Sequence, residues 1–290
     1  MPLASVNQRR QAFRAHLAAK QALPAGSVFD AASARLAQAA GYRVGMLAGS
    51  VASAVVLGAP DVVVMTLSEF ADQSRRIARG SDLPFMVDAD HGYGNALNVR
   101  RTVEELETAG VSAIALEDPV LPRPYGGSGA ELISRDEFRD KLRSALAARV
   151  DPDLVVIGRT QALREGMDEA QARIRICDET GVDAVFVVNV TSMEQVPPLR
   201  EATSLPLILN ALPPGGTSEQ LAELGVRVYL QGHLPYYAAL NTLYESYKHL
   251  LETGDQSALQ AKALPKELQE LAMDEASHAA WTREYLGVEK

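Results

Sequence analysis

The stretch that decides the fold runs from residue 83 to residue 118 and reads LPFMVDADHGYGNALNVRRTVEELETAGVSAIALED. It begins with an apolar run, continues as an amphipathic segment that stops at Gly110, and ends in a second apolar run. Short continuous apolar runs predict strands that are buried on both faces of a parallel sheet, and the glycine is a usual helix stop. The stretch is therefore predicted to form one strand–helix–strand unit.

The same alternation extends along most of the chain. Eight strands are predicted, over residues 27–31, 43–50, 83–90, 112–118, 154–160, 183–190, 205–210 and 226–233. Eight successive units favour a single-domain TIM (β/α)8 barrel over a doubly wound open sheet, which does not usually need eight. We expect the barrel to span about 25–253, with an N-terminal helix before it. A helical extension over 254–290 is expected to pack on the barrel or on a neighbouring subunit.

The composition excludes several classes of protein. A net charge of −9 argues against a nucleic-acid surface, and no apolar run is long enough to cross a membrane. One cysteine, Cys177, excludes an internal disulfide framework and predicts a cytoplasmic protein. The arginine-bearing N-terminus, without acidic residues up to residue 21, is either a presequence or a helix that packs on the body through Phe13 and Leu17.

Polar residues follow nearly every predicted strand at its C-terminal end, which is the active-site end of a barrel. They are Ser50, Asp88, Asp90, Glu117, Asp118, Arg159, Thr160, Asn189, Asn210 and His233. Any one of them is explained by a polar turn, but a set on the same side indicates a functional site.

Asp88, Asp90 and Glu117 belong to neighbouring strands and are predicted to converge. Carboxylates held close together resist ionisation unless a positive charge offsets them, and oxygen ligands suit magnesium, which retains several waters. The alternative is structural: Asp90 caps a turn and Glu117 pairs with Arg159.

Four further features are candidates for the site, and three of them have two explanations each. Arg159 suits either a developing oxyanion or a structural ion pair with Glu117 or Asp118. His233 is a substrate-binding or proton-transferring group, or a structural histidine. The Gly49–Ser50 turn before a helix offers backbone N–H groups to an anion. The glycine-rich segment 125–131 is a mobile loop over the mouth or an ordinary long loop.

The motifs GSVAS, PD at 60–61, DADHGYGN, LED, GRT and the late GH resemble, in order and spacing, the phosphoenolpyruvate mutase/isocitrate lyase superfamily. The resemblance covers nearly the whole chain, from about residue 8 to the tail. It implies a magnesium-dependent barrel that acts on small 2-oxo acids, with manganese as a second option. It also implies a homotetramer, a dimer of dimers in which the last barrel helix is exchanged between subunits.

The resemblance also implies roles for individual residues. Asp88 matches the direct metal ligand, and Asp90 and Glu117 match groups that reach the metal largely through water. Ser50, with the neighbouring Gly49 amide, matches the site for the substrate carboxylate. Arg159 matches the arginine that stabilises the oxo or enolate oxygen, and Asp61 matches another acidic site residue.

Two departures indicate the branch. Tyr125 and Gly127 stand where the lyases carry the cysteine and histidine of their loop signature, and Val188 stands where the phosphonate enzymes carry a histidine. The first argues against isocitrate or methylisocitrate cleavage, and the second against phosphoryl chemistry. The segments SVFD (27–30), NALNV (95–99) and GH (232–233) look most like the oxaloacetate decarboxylase branch. In that branch, His233 matches a substrate-binding histidine.

The expected reaction is magnesium-dependent decarboxylation of oxaloacetate to pyruvate and CO2 through an enolate. Arg159 would stabilise the enolate, and His233 or Tyr125 would protonate it. One alternative is a carbon–carbon lyase or hydrolase for a substituted malate of the dimethylmalate or methylisocitrate type. The other is a barrel that binds a 2-oxo acid and a metal without catalysis.

Overall fold

Eight parallel strands close into a barrel in chain order, with β8 paired to β1. This architecture comes from a computed structural model that describes residues 3–127 and 131–287. The strands are β1 (Leu23–Ser27), β2 (Val44–Leu47), β3 (Phe85–Asp88), β4 (Ala113–Glu117), β5 (Val155–Thr160), β6 (Ala184–Val187), β7 (Leu207–Leu209) and β8 (Val226–Leu230). The closed barrel confirms the predicted TIM (β/α)8 fold.

The first strand was predicted too far along the chain. It occupies Leu23–Ser27 instead of 27–31, because Asp30 leaves the sheet and caps the next helix by accepting a hydrogen bond from the Ser33 amide at 2.6 Å. The segment LPAGS has poor intrinsic strand propensity, since it contains proline and glycine. It is held in the sheet by pairing with β2 on one side and β8 on the other.

One helix precedes β1, and at least one helix follows every strand. They are α1 (Val6–Ala18), α2 (Ala31–Ala39), α3 (Gly49–Leu57), α4 (Leu67–Ala78), α5 (Ala96–Ala109), α6 (Arg135–Ala148), α7 (Met167–Thr180), α8 (Val196–Glu201), α9 (Ser218–Glu223), α10 (Leu234–Thr253), α11 (Ser257–Gln260), α12 (Lys266–Met273) and α13 (Glu275–Leu286).

Capping side chains fix where several helices begin. Asn95 accepts hydrogen bonds from the first-turn amides of α5, and Thr217 with Gln220 forms the capping box of α9. Such caps satisfy backbone N–H groups that have no partner within the helix. These two caps determine where the loops before α5 and α9 end.

The core has two layers. The inner layer fills the barrel with inward-facing strand side chains such as Met46, Met86, Ile157 and Phe186. Phe13 of α1 belongs to this layer and is fully buried. The N-terminal segment is thus a helix that packs on the body, as one of the two sequence interpretations had it. The outer layer lies between the strands and the surrounding helices.

The last barrel helix, α10, differs from the others because none of its 20 residues is buried. The helices after it return to the barrel against α2, where Arg35 donates to the Ala272 carbonyl of α12 at 2.8 Å and lies 3.7 Å from the Asp274 carboxylate. Among the helices of residues 3–127 and 131–287, none combines the length and apolar character needed to cross a membrane.

Candidate active site

The polar residues at the ends of β3, β4 and β5 lie side by side at one rim of the barrel. Asp88 ends β3 and pairs in register with Ala115, while Glu117 at the end of β4 pairs with Arg159 of β5. The strand order and register bring together three of the residues predicted for the site, because parallel strands end at the same edge of the sheet.

The Arg159 guanidinium lies between two carboxylates. It forms a short ion pair with Asp88 through Nη1, and its Nε lies 3.1 Å from Oε2 of Glu117. The guanidinium also stands over the ring of Phe186 at 5.1 Å. The pairing with Glu117 predicted as the structural alternative is therefore present, and Arg159 is fixed in place at the centre of the mouth.

Asp90 approaches the same centre from the turn after β3. Its backbone has a φ of 48°, and its amide donates to Oδ1 of Asp88 at 3.2 Å. A Cβ placed on Gly49 would lie 3.2 Å from Oδ1 of Asp90, so the glycine allows this carboxylate to approach the start of α3. Gly49 and Ser50 both belong to the first turn of α3, where free N–H groups favour an anion.

The electrostatics of the site indicate a deficit of positive charge. Burial, together with the charges of Asp88 and Glu117, raises the pKa of Asp90 to about 9. Burial raises the pKa of Glu117 to about 7, although Arg159 opposes the shift. Burial alone would lower the pKa of Arg159, but Asp88 and Glu117 outweigh it and raise that pKa. The single positive charge of Arg159 does not neutralise the negative charges of Asp88, Asp90 and Glu117 around it.

Asp61 lies on the loop after α3 and is exposed. Partial loss of hydration and the nearby charge of Asp88 raise the pKa of the Asp61 carboxyl. Asp61 therefore acts electrostatically on the same centre as a fourth carboxyl group.

His233 reaches the rim from the start of α10, which follows β8. Its Nδ1 lies 2.9 Å from Oγ of Ser27, the last residue of β1. Burial lowers the pKa of His233, with Asp88 opposing and Arg159 reinforcing the shift, so the ring is in the electrostatic range of the site. Sequence reasoning missed Ser27 because it treated that residue as the beginning of a strand.

Gln161 is a second residue that sequence reasoning missed. Its Nε2 donates to Oε2 of Glu117 at 3.1 Å, and its backbone amide donates to Asp118 at 2.9 Å. Asp118 is fully buried and also accepts from the Thr160 hydroxyl at 2.5 Å. The position of Gln161 directly after GRT was the available signal, since it is the next residue beyond a strand end.

Two residues near the mouth make no contact with Arg159: Tyr125, a candidate from the sequence, and His91, which follows Asp90 and had no predicted role. The ring of Tyr125 is fully exposed, and part of its loop, residues 128–130, lies outside the described residues. A catalytic role for Tyr125 stays a prediction. His91 is buried with no hydrogen-bond partner for Nδ1, and burial, with a smaller contribution from Lys141, lowers its pKa to about 4.

The donor chemistry of the mouth suits a hard cation, but the side chains do not converge into a closed site. Within the described part of the chain, no group of three or more His, Cys, Asp and Glu side chains lies close enough to hold a metal ion. Arg159 is paired with both Asp88 and Glu117. The all-oxygen donors and the raised pKa values of Asp90 and Glu117 fit a divalent cation that keeps several waters.

A closed eight-stranded parallel barrel with clustered carboxylates and a half-buried arginine at its strand ends defines a TIM-barrel enzyme for small anionic molecules. The profile of one family, described as phosphoenolpyruvate phosphomutase, matches residues 13–251. The chain belongs to this family, which confirms the resemblance found in its motifs.

Relatives of known name match nearly the whole chain. An oxaloacetate decarboxylase of Bradyrhizobium sp. (strain ORS 278) is 43% identical over 288 residues, covering 97% of this chain and 98% of the relative. A crystal structure of phosphonopyruvate hydrolase in complex with oxalate and Mg++ is 28% identical, with a TM-score of 0.85 over 96% of this chain and 99% of that one. A structure of oxaloacetate acetylhydrolase with the inhibitor 3,3-difluorooxalacetate is 29% identical, with a TM-score of 0.83 and 98% coverage of both chains.

Proposed function

We propose that this protein is a carboxy-lyase that decarboxylates oxaloacetate to pyruvate and CO2 with the help of Mg2+. The observation that carries the proposal is the position of Arg159, fixed between Asp88 and Glu117 at the barrel mouth. The similarity to oxaloacetate decarboxylases over nearly the full length supports it.

The reaction needs stabilisation of one developing negative charge. When the C3–C4 bond of oxaloacetate breaks, CO2 leaves and the electron pair moves through C3 and C2 onto the oxo oxygen, which gives the enolate of pyruvate. A proton then adds at C3. No nucleophile is required, so the absence of a loop cysteine at the position of Tyr125 does not oppose this chemistry.

The residues of the mouth have distinct roles in this proposal. The guanidinium of Arg159 binds the oxo oxygen and stabilises the charge that develops there, because a fixed charge in a water-poor site needs no reorganisation. The amides of Gly49 and Ser50 at the start of α3 bind the C1 carboxylate. His233 binds the substrate at the opposite side of the mouth, and His233 or Tyr125 supplies the proton.

Asp88, Asp90 and Glu117 would hold the cation, Asp88 directly and the other two largely through water. A bound Mg2+, or Mn2+ in its place, would supply Lewis-acid stabilisation of the same oxo oxygen. The raised pKa values of Asp90 and Glu117 support this assignment, since an added positive charge favours their ionised forms.

We also propose a homotetramer, a dimer of dimers in which α10 is exchanged between subunits. A barrel helix normally buries one face on its own strands, but α10 exposes Tyr244 and Tyr247 at 63% each and Leu251 at 90%. Exposed apolar side chains on one long helix indicate a protein interface.

The decisive experiment measures CO2 release from oxaloacetate with purified protein and Mg2+. We expect Asp88→Ala to lower kcat at least about 100-fold, since it removes both a cation ligand and the partner of Arg159. Asp72→Ala is the matched control, because Asp72 is an exposed carboxylate on α4 and is expected to leave the rate unchanged. Release no faster than with Mg2+ alone would overturn the proposal.

The same preparation distinguishes the alternatives. Release of pyruvate or glyoxylate from substituted malates, without turnover of oxaloacetate, would indicate a carbon–carbon lyase instead. Oxalate binding without turnover of either class of substrate would indicate a binding protein.

A further inference from the structure

Ser27, the last residue of β1, and His233, which follows β8, form a side-chain pair between the first and the last strand of the closed barrel. Oγ of Ser27 lies 2.9 Å from Nδ1 of His233. We propose that Ser27 is a positioning residue: its hydroxyl donates to Nδ1, so that Nε2 carries the proton and donates to the anionic substrate. This inference rests on the proposed function, because it takes the ligand of the mouth to be a dicarboxylate.

The fold holds both members of the pair in place. β1 and β8 are paired, with Ala25 opposite Leu230, so Ser27 and the segment after β8 reach the same rim. Gly232 has a φ of 75°, which turns the chain from β8 into α10 and places His233 at the N-cap of that helix. A second contact, between the rings of Phe29 and Tyr236 at 5.1 Å, fixes the first turn of α10 against the end of β1.

The chemistry selects one of the two tautomers. A neutral imidazole has one donor nitrogen and one acceptor nitrogen, and a serine hydroxyl can serve as either partner. Position at the N-terminus of a 20-residue helix disfavours the protonated ring, and burial lowers the pKa of His233 as well. A neutral ring binds an anion only through its N–H group, so Nε2 must be the donor and Nδ1 the acceptor of the Ser27 hydrogen.

The direct test is 15N NMR of protein labelled at histidine. The chain has five histidines, and the spectrum of the His233→Asn variant assigns the resonances of His233. We expect wild-type Nδ1 to show the shift of an unprotonated nitrogen and Nε2 that of a protonated one. In Ser27→Ala we expect the two shifts to move toward each other as the tautomers mix.

Kinetics provide a second measurement. In Ser27→Ala we expect the KM for oxaloacetate to rise about tenfold, since one hydrogen bond to a charged ligand becomes misdirected. Ser27→Thr retains the hydroxyl and is expected to restore both the NMR shifts and KM. Ser218→Ala is the matched control, because it removes a hydroxyl that contacts Tyr229 at 2.9 Å instead of a mouth residue.

A protonated Nδ1 in the wild type would overturn the proposal, and so would unchanged shifts and KM in Ser27→Ala. If the wild-type protein releases no CO2 from oxaloacetate, the proposed function fails. The NMR spectra still decide the role of Ser27 in that case, because they require no turnover.

Discussion

Val63 has a backbone conformation that is poorly suited to its side chain. Its φ is 57°, in the left-handed region, where a β-branched residue is a genuine outlier with a cost of about 1–3 kcal/mol. We expect Val63→Gly to raise the free energy of unfolding by about 1 kcal/mol, because relief of strain outweighs the added flexibility of the unfolded chain. Urea unfolding followed by circular dichroism measures the change.

The neighbouring valine provides the control. Val62 is 55% exposed and is not among the residues with positive φ, so Val62→Gly is expected to lower stability by about 0.5–1 kcal/mol. Equal effects at the two positions would contradict the assignment of strain to Val63.

Single residues also show how far the sequence determines the site. Asp88, Glu117 and Arg159 were placed together from their positions at strand ends, because strand order and parallel direction fix which ends meet. The Arg159–Glu117 pair was one of the alternatives from sequence, but the simultaneous ion pair of Arg159 with Asp88 depends on side-chain rotamers that the pattern does not set. Ser27 was missed for a different reason: LPAGS becomes a strand only because its neighbours supply hydrogen-bond partners.

At the scale of elements, buried Asp118 joins β4 to β5 and α7. It accepts from the Thr160 hydroxyl at 2.5 Å, and Arg173 of α7 lies 3.4 Å away and is only 5% exposed. We expect Asp118→Ala to lower the free energy of unfolding by about 3–5 kcal/mol, since it removes a negative charge that pairs with the buried guanidinium of Arg173. Glu104→Ala breaks an exposed ion pair with Arg101 and is expected to cost less than about 0.5 kcal/mol. Similar losses in the two variants would show that Asp118 does not stabilise the fold through burial.

His16 lies on helix α1, which closes the base of the barrel. We expect this residue to make the free energy of unfolding depend on pH. Burial, and then the charge of Arg43, lowers the pKa of His16 below 6.5 in the folded protein. The unfolded chain therefore binds the proton first as the pH falls through 6.5, so this residue reduces stability progressively below that pH. We expect His16→Gln to lose less stability than the wild type between pH 7.5 and 5.5 in urea titrations.

His278→Gln is the control for this measurement, since His278 is exposed in α13. Its pH dependence should follow that of the wild type. An identical loss in the His16→Gln variant would show that burial of this histidine does not affect acid stability.

At the scale of the whole molecule, the barrel was predictable because its signal repeats. Eight apolar runs separated by helical segments leave few alternatives, and an error of four residues in β1 did not change the order of the strands. The position of α10 was not predictable from its own pattern. Its apolar residues are compatible with burial on its own barrel, and before the structure showed them exposed only the family resemblance implied that this helix leaves its own barrel.

The exposed face of α10 leads to the last prediction, on assembly. If α10 packs on a second subunit, a charge in the middle of that face must be buried without a partner, which is costly. We expect Leu243→Glu, at a residue 45% exposed in the single chain, to convert the proposed tetramer into smaller species. Light scattering coupled to size-exclusion chromatography measures the mass directly.

Leu97→Glu, the same change at a leucine 76% exposed on α5, should leave the mass unchanged. A wild-type protein that elutes as a monomer would contradict the exchange of α10, and an unchanged mass in Leu243→Glu would place the subunit interface elsewhere.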